Sequence, residues 1–181
     1  MKWKVLASEY LHKEPWLTIR KDKCELPNGH VVPSFYVQEY SDWVNAFALT
    51  KDNMVVMVKQ YRHGIEEMGI ELPGGAAEKG ETIEGAMRRE IIEETGYAFG
   101  SYEYLGKICA NPSTTNNFMH MFLAKDGEKV AEPQLDKLED LEVVIYSIDE
   151  VKKLLKENKI KQSLHANCIF YALNKLGKLS Y

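Results

Sequence analysis

Gly75-Ala76-Ala77-Glu78-Lys79-Gly80-Glu81-Thr82-Ile83-Glu84-Gly85-Ala86-Met87-Arg88-Arg89-Glu90-Ile91-Ile92-Glu93-Glu94-Thr95-Gly96-Tyr97 is the segment from which the rest of this chain can be read. Glu90, Glu93 and Glu94 stand three and four residues apart, which makes them neighbours on a helix surface within an arc of about 100°. Like charges so placed cost an isolated helix about 0.2–0.5 kcal/mol per pair, and Arg89 relieves only part of that. A hard divalent cation relieves it more fully, because oxygen-rich carboxylate clusters are what Mg²⁺ and Mn²⁺ select. For three glutamates taken alone, a solvated acidic helix face is the plainer reading. The flanks argue otherwise. Glu71-Leu72-Pro73-Gly74-Gly75 carries a strand into a glycine loop, where backbone carbonyls can approach an ion closely. Thr82 is suited to cap the helix, and Gly96 to end it in the left-handed conformation.

Outward from this segment the chain reads as mixed strands and helices. The first forty-odd residues are β in character. Trp16 to Arg20 and Val31 to Val37 flank Pro27-Asn28-Gly29, and Asn-Gly is the strongest short hairpin signal. Val44 to Leu49 and Met54 to Tyr61 form two strands around Lys51-Asp52-Asn53. Past the helix, Tyr102 to Ala110, Phe118 to Ala124 and Glu142 to Tyr146 read as strands. Ser147-Ile148-Asp149-Glu150 is a capping box opening a helix to about Glu157. Ser163 is placed to cap a last helix, with Ile169, Leu173 and Leu176 on its apolar side and Gly177 beyond its end. Strands sandwiched by helices give an α/β layered domain.

Composition sets the limits. The chain has 181 residues, 45% of them hydrophobic, enough for one well-cored domain and an extension. A net charge of −4 without a basic stripe argues against a nucleic-acid partner. Cys24, Cys109 and Cys168 are widely spaced and read as small core residues in a reducing compartment. The N-terminus lacks an apolar signal core, and no apolar run has membrane-spanning length. The expectation is a soluble cytoplasmic protein with no membrane partner. The five histidines show no paired ligand spacing, and only His63, beside Arg62, invites a functional role.

The opening segment resembles the Nudix box: Gly75, five residues, Glu81, seven residues, then Arg89-Glu90-Ile91-Ile92-Glu93-Glu94-Thr95-Gly96. The last position is Tyr97, where that family usually has an aliphatic residue. The resemblance implies an α/β/α sandwich with a mixed sheet over residues 44–181, preceded by an antiparallel β extension over residues 1–43. Three further stretches are similar to ADP-ribose and ADP-sugar pyrophosphatases. Gln60-Tyr61-Arg62 closes the strand before the box, Asn111-Pro112-Ser113 is a proline loop after it, and Lys137 to Val143 is an acidic loop. Asn116, Asn117 and Lys137 stand where those enzymes often carry acidic residues.

The resemblance also implies roles. Glu90 and Glu94 would be the main ligands of Mg²⁺ (or Mn²⁺), with Glu93 a third ligand or the partner of Arg89. The carbonyl of Gly74, or of Gly75, would complete the set. Glu139 is the candidate general base toward an attacking water activated by the ion. Arg62 would offer a planar fork to a diphosphate, Trp16 could stack on adenine, and Glu71 and Pro112 would border the substrate. The expected reaction takes ADP-ribose to AMP and ribose 5-phosphate. GDP-mannose or another nucleoside-diphosphate sugar is the alternative substrate, and a non-catalytic nucleotide-sugar sensor is the alternative of another class. The extension, with Trp3, Val5, Leu17 and Ile19 on an apolar face, implies a homodimer.

Overall fold

A computed structural model of the chain describes residues 1–137 and 139–179. Leu138 of the acidic loop, and Ser180 and Tyr181 at the end of the second expected domain, lie outside the described residues. The described chain forms two compact units. Met1–Ser41 and Cys109–Phe118 make the first, and Asp42–Ile108 and Met119–Tyr181 the second.

The first unit is an antiparallel sheet of β1 (Lys4–Glu14), β2 (Leu17–Glu25) and β3 (Val31–Glu39), in that order. The β2–β3 turn falls at Pro27-Asn28-Gly29, where Gly29 takes φ 82° and its amide donates to the Leu26 carbonyl. Asp22 is buried in this small sheet and is held by Ser8 and by the Arg20 guanidinium. The proline loop joins β3 through the Gln38 amide, which donates to Thr114 O, and joins the residues just past β3 through the Asn117 side chain, which donates to Ser41 O.

The second unit is built on a mixed sheet. β4 (Trp43–Thr50) and β5 (Met54–Arg62) are joined by the expected turn, with Asn53 at φ 59°. β6 (Glu67–Glu71) pairs with β5, and β7 (Gly74–Ala76) pairs with β4. α1 (Ile83–Thr95) follows, then β8 (Tyr97–Ala98), β9 (Ser101–Ile108), β10 (Met119–Lys129) and β11 (Leu141–Ser147). The central path runs β11-β5-β4-β10-β8, with β9 beside β10. Only the β4–β10 pair is parallel among the described strands. Last come α2 (Ile148–Lys156) and α3 (Ser163–Lys175).

Both sheet faces are covered, which is why β4 and β5 read as nearly continuous apolar runs. Alternate residues of β4 serve different cores. Val44, Ala46 and Ala48 pack with Ala86, Met87 and Ile91 of α1, whereas Phe47 and Leu49 pack with Val151 of α2 and with Leu164, Ile169 and Leu173 of α3. Each fully buried side chain of that size contributes about 1.5–3 kcal/mol. This is the α/β/α sandwich with a mixed sheet and an N-terminal antiparallel sheet that the sequence led us to expect.

The helix ends follow local chemistry. Thr82 accepts the Gly85 amide at 3.0 Å, Gly96 takes φ 72°, and Ser147 with Glu150 forms the capping box of α2. One expectation is corrected. Gln162, not Ser163, caps α3, because its longer side chain reaches the Leu164 amide at 3.0 Å and leaves Ser163 as the first helical residue. Gly177 ends that chain segment at φ 65°.

Candidate active site

The site grows from the junction of β7 and α1. Register places Gly74 opposite Asn45 and Gly75 opposite Val44. Gly74 has φ 154°, and the Val44 carbonyl occupies the space a Cβ would need, so only glycine fits here. At Gly75 a Cβ would lie 2.5 Å from Oε2 of Glu90, so the missing side chain makes room for that carboxylate. The Gly74 amide donates to Oε2 of Glu94 at 2.8 Å. The glycine loop therefore cradles both glutamates from the helix.

Arg89 organises the other side. Its Nε and Nη2 donate to the two Glu81 oxygens at 3.1 Å each, Nη1 donates to Glu90 at 3.0 Å and Glu93 at 2.9 Å, and Nη2 also reaches Ala76 O at 3.1 Å. These carboxylates keep the guanidinium fully charged. Of the two roles left open for Glu93, the geometry displays the partnership with Arg89. Glu81 is thereby a structural partner of Arg89 that the motif alone does not reveal. Eight residues before Arg89, in a loop, it lies outside the helical spacings that a sequence reading weighs.

Electrostatics mark the cluster. Burial pushes the Glu94 carboxyl up to about 8, helped by the charges of Glu90 and Glu139, while the Gly74 amide and Arg62 oppose it. Burial also raises Glu90, with Glu93 and Glu139 adding to it and Arg89 opposing. Glu139, though far along the chain, is thus near enough to act on both. The loop that carries it is anchored to the end of α1, where the Val130 and Ala131 amides donate to Gly96 O and the Gln134 amide donates to Glu93 O. Glu139 is exposed, and its Oε2 accepts the Asp136 amide at 3.0 Å.

Among the described residues no group of three or more His, Cys, Asp or Glu side chains is placed to hold a metal ion. The donor set nonetheless fits a hard divalent cation. Glu90 and Glu94 are carboxylates held together against their own repulsion, beside backbone that only glycine allows to come so close.

Arg62 ends β5, and its Nε and Nη2 donate to Glu71 at 2.9 and 2.6 Å. Glu71 is 2% exposed, turned inward behind the guanidinium. Burial opposes its ionisation, and Arg62 outweighs that and holds the carboxyl below the usual range. A cavity of about 580 Å³ opens beside this pair, also lined by Tyr61, His63, Lys161 and Ser163. His165, passed over in the sequence, is buried against Glu71 and Leu72. The second unit thus gathers Arg62, Glu71, Gly74, Arg89, Glu90, Glu93, Glu94 and Glu139. Trp16, 87% exposed at the β1–β2 turn, and Pro112 belong to the first unit.

This combination of sandwich, glycine loop and glutamate helix defines a family. Residues 41–168 match the family model described as the NUDIX domain, and the chain belongs to that family. Residues 3–38 match the model described as the nucleoside diphosphate sugar hydrolase N-terminal domain. Among curated relatives, the methanol dehydrogenase activator of Bacillus methanolicus is 31% identical over 88% of this chain and 86% of its own length. The ADP-ribose pyrophosphatase of Bacillus subtilis strain 168 is 29% identical over 93% and 91%. The crystal structure of an ADP compounds hydrolase superposes with a TM-score of 0.83 at 20% identity, covering 99% of this chain and 98% of that one, and shares the fold.

Proposed function

We propose that this chain hydrolyses the diphosphate of a nucleoside-diphosphate sugar, cleaving ADP-ribose to AMP and ribose 5-phosphate with Mg²⁺ or Mn²⁺. The observation that carries the reading is the seating of Glu90 and Glu94 against the Gly74-Gly75 loop, where burial, with the charges of Glu90 and Glu139, pushes Glu94 up to about 8. A buried carboxyl that burial keeps from ionising alone gives up its proton readily once a cation is there to balance the charge. The likeness to the B. subtilis pyrophosphatase over nearly the whole chain supports the substrate class, as does the match of residues 3–38.

A bound divalent ion would neutralise phosphate charge and acidify the attacking water. Glu90, Glu94 and the Gly74 carbonyl would hold it. Arg89 fixes the Glu90 carboxylate and ties Glu93 and Glu81 to one frame. Glu139 would take the proton from water once its carboxylate leaves the Asp136 amide. Arg62, oriented by Glu71, would neutralise the diphosphate with its remaining donors. Trp16 is our candidate for stacking on the base, and Pro112 for bordering the substrate. We also propose a homodimer, supported by a fully exposed edge strand β1 carrying Val5, Leu6, Tyr10 and Leu11. The free cysteines Cys24, Cys109 and Cys168 support a reducing compartment such as the cytoplasm.

The test is a panel of ADP-ribose, ADP-glucose, GDP-mannose and UDP-glucose, each with Mg²⁺ and with chelator, resolved by chromatography. AMP and ribose 5-phosphate released fastest from ADP-ribose, and only with metal, is the expected result. GMP and mannose 1-phosphate released fastest would move the reading to the alternative substrate. Tight binding without cleavage of any compound would replace the enzyme by a sensor.

A further inference from the structure

Leu72 is buried at the end of β6, one residue past the last ladder pair between β5 and β6, Val58 with Glu71. A buried amide in that position requires an acceptor. His165 on the first turn of α3 supplies it: the Leu72 N–H donates to Nδ1 at 2.9 Å. With Nδ1 accepting, the ring proton resides on Nε2, which lies 3.7 Å from Oε2 of Glu71. Glu71 in turn holds Arg62 at two points. A second tie runs from the same turn. The Leu164 carbonyl accepts Nδ2 of Asn45 at 3.5 Å, and Asn45 stands opposite Gly74 in the β4–β7 register. The Ala46 amide then donates to Pro73 O at 3.2 Å, and the Gly74 amide to Glu94 at 2.8 Å. One helical turn therefore holds the Leu72 amide directly and reaches Asn45, the β4 partner of Gly74, and through Glu71 it also abuts the arginine.

We infer that His165 is a positioning residue, which sets the Leu72–Gly74 loop against Glu94 and the Arg62 guanidinium against Glu71 without touching a ligand itself. The inference rests on the functional reading above for its kinetic consequence, and on the hydrogen bonds alone for its structural one.

Three variants separate the two nitrogens. His165→Asn places its side-chain oxygen where Nδ1 stood and keeps an acceptor for Leu72. His165→Gln keeps a polar group near the Nε2 position and loses that acceptor. His165→Leu loses both. Hydrogen exchange of residues 70–76 in the metal-free protein should quicken about two- to tenfold in the Gln and Leu variants, the range a lost hydrogen bond implies, and stay near wild type in Asn. With ADP-ribose and Mg²⁺, kcat should fall about ten- to hundredfold in Gln and Leu, as misplacement away from the chemistry does. Asn should recover kcat to within about threefold and retain a raised KM, because the neighbour of Glu71 is gone. If the Leu variant fails to fold, the Asn and Gln pair alone decides. Equal exchange and equal kinetics in Asn and Gln would overturn the inference. Should wild type cleave no nucleoside-diphosphate sugar, the functional reading falls while the exchange comparison still decides the role of His165.

Discussion

Replacing Glu94 by glutamine removes a carboxyl that burial raises from the ordinary 4.5 to about 8. Between those values the unfolded chain has released this proton and the folded chain retains it. The stability contributed by the protonated group is complete below about pH 4.5 and is lost as pH rises toward 8, at about 1.4 kcal/mol per pH unit. Above 8 the curve levels. Over the 3.5 pH units from 4.5 to 8, the upper limit is about 5 kcal/mol. Glu94 is 6% exposed, so solvent screening takes little from it. Glutamine still offers an oxygen to the Gly74 amide and does not ionise. Denaturant unfolding of both proteins in chelator, from about pH 5 to about pH 9, isolates the effect, because other titrations cancel in the difference. The variant should gain on wild type steadily up to about pH 8 and then hold its lead. Added Mg²⁺ should narrow the gap by stabilising ionised wild type, and the variant should lose about two orders of magnitude in turnover. A stability difference flat from about pH 5 to about pH 8 would show that Glu94 ionises normally, and the argument for a buried carboxylate cluster would fail.

Other outcomes follow from the same geometry. Glu139→Gln should lower kcat about 10²–10⁴-fold with little change in KM; steady-state kinetics of the same change at Asp136, Asp140 and Glu142 tell whether the loss belongs to a neighbour instead. Gly75→Ala puts a methyl 2.5 Å from a Glu90 oxygen, so it should keep the fold by circular dichroism and lower turnover about ten- to hundredfold. An unchanged rate would mean that Glu90 need not sit in that cradle. Light scattering at micromolar concentration should give twice the 20.8 kDa of one chain, and a monomer with full activity would rule out the dimer.

Local chemistry made α1 readable before any coordinates. Thr82 and Gly96 cap it through hydrogen bonds that span three or four residues, and the repulsion of Glu90, Glu93 and Glu94 follows from helical spacing alone. The β4–β5 hairpin and the α2 capping box were readable for the same reason, since turn and cap preferences act between near neighbours. β7 was not. Gly74–Ala76 has no β-branched residue, and it is a strand only because β4 offers it a ladder. The Cys109–Phe118 loop joins the first unit by pairing with β3, a contact more than seventy residues distant in sequence. His165 showed no ligand spacing because its partners Glu71 and Leu72 lie 94 and 93 residues away. The proposed role of Arg62 starts from its place at a strand end, but its lock onto Glu71 depends on β6 folding back along β5. The raised Glu94 has the same origin. A charge on one side of a helix costs little in water and much in a closed core, and only the packing of α1 against β4 and β7 supplies that environment, with the charge of the distant Glu139 added to it.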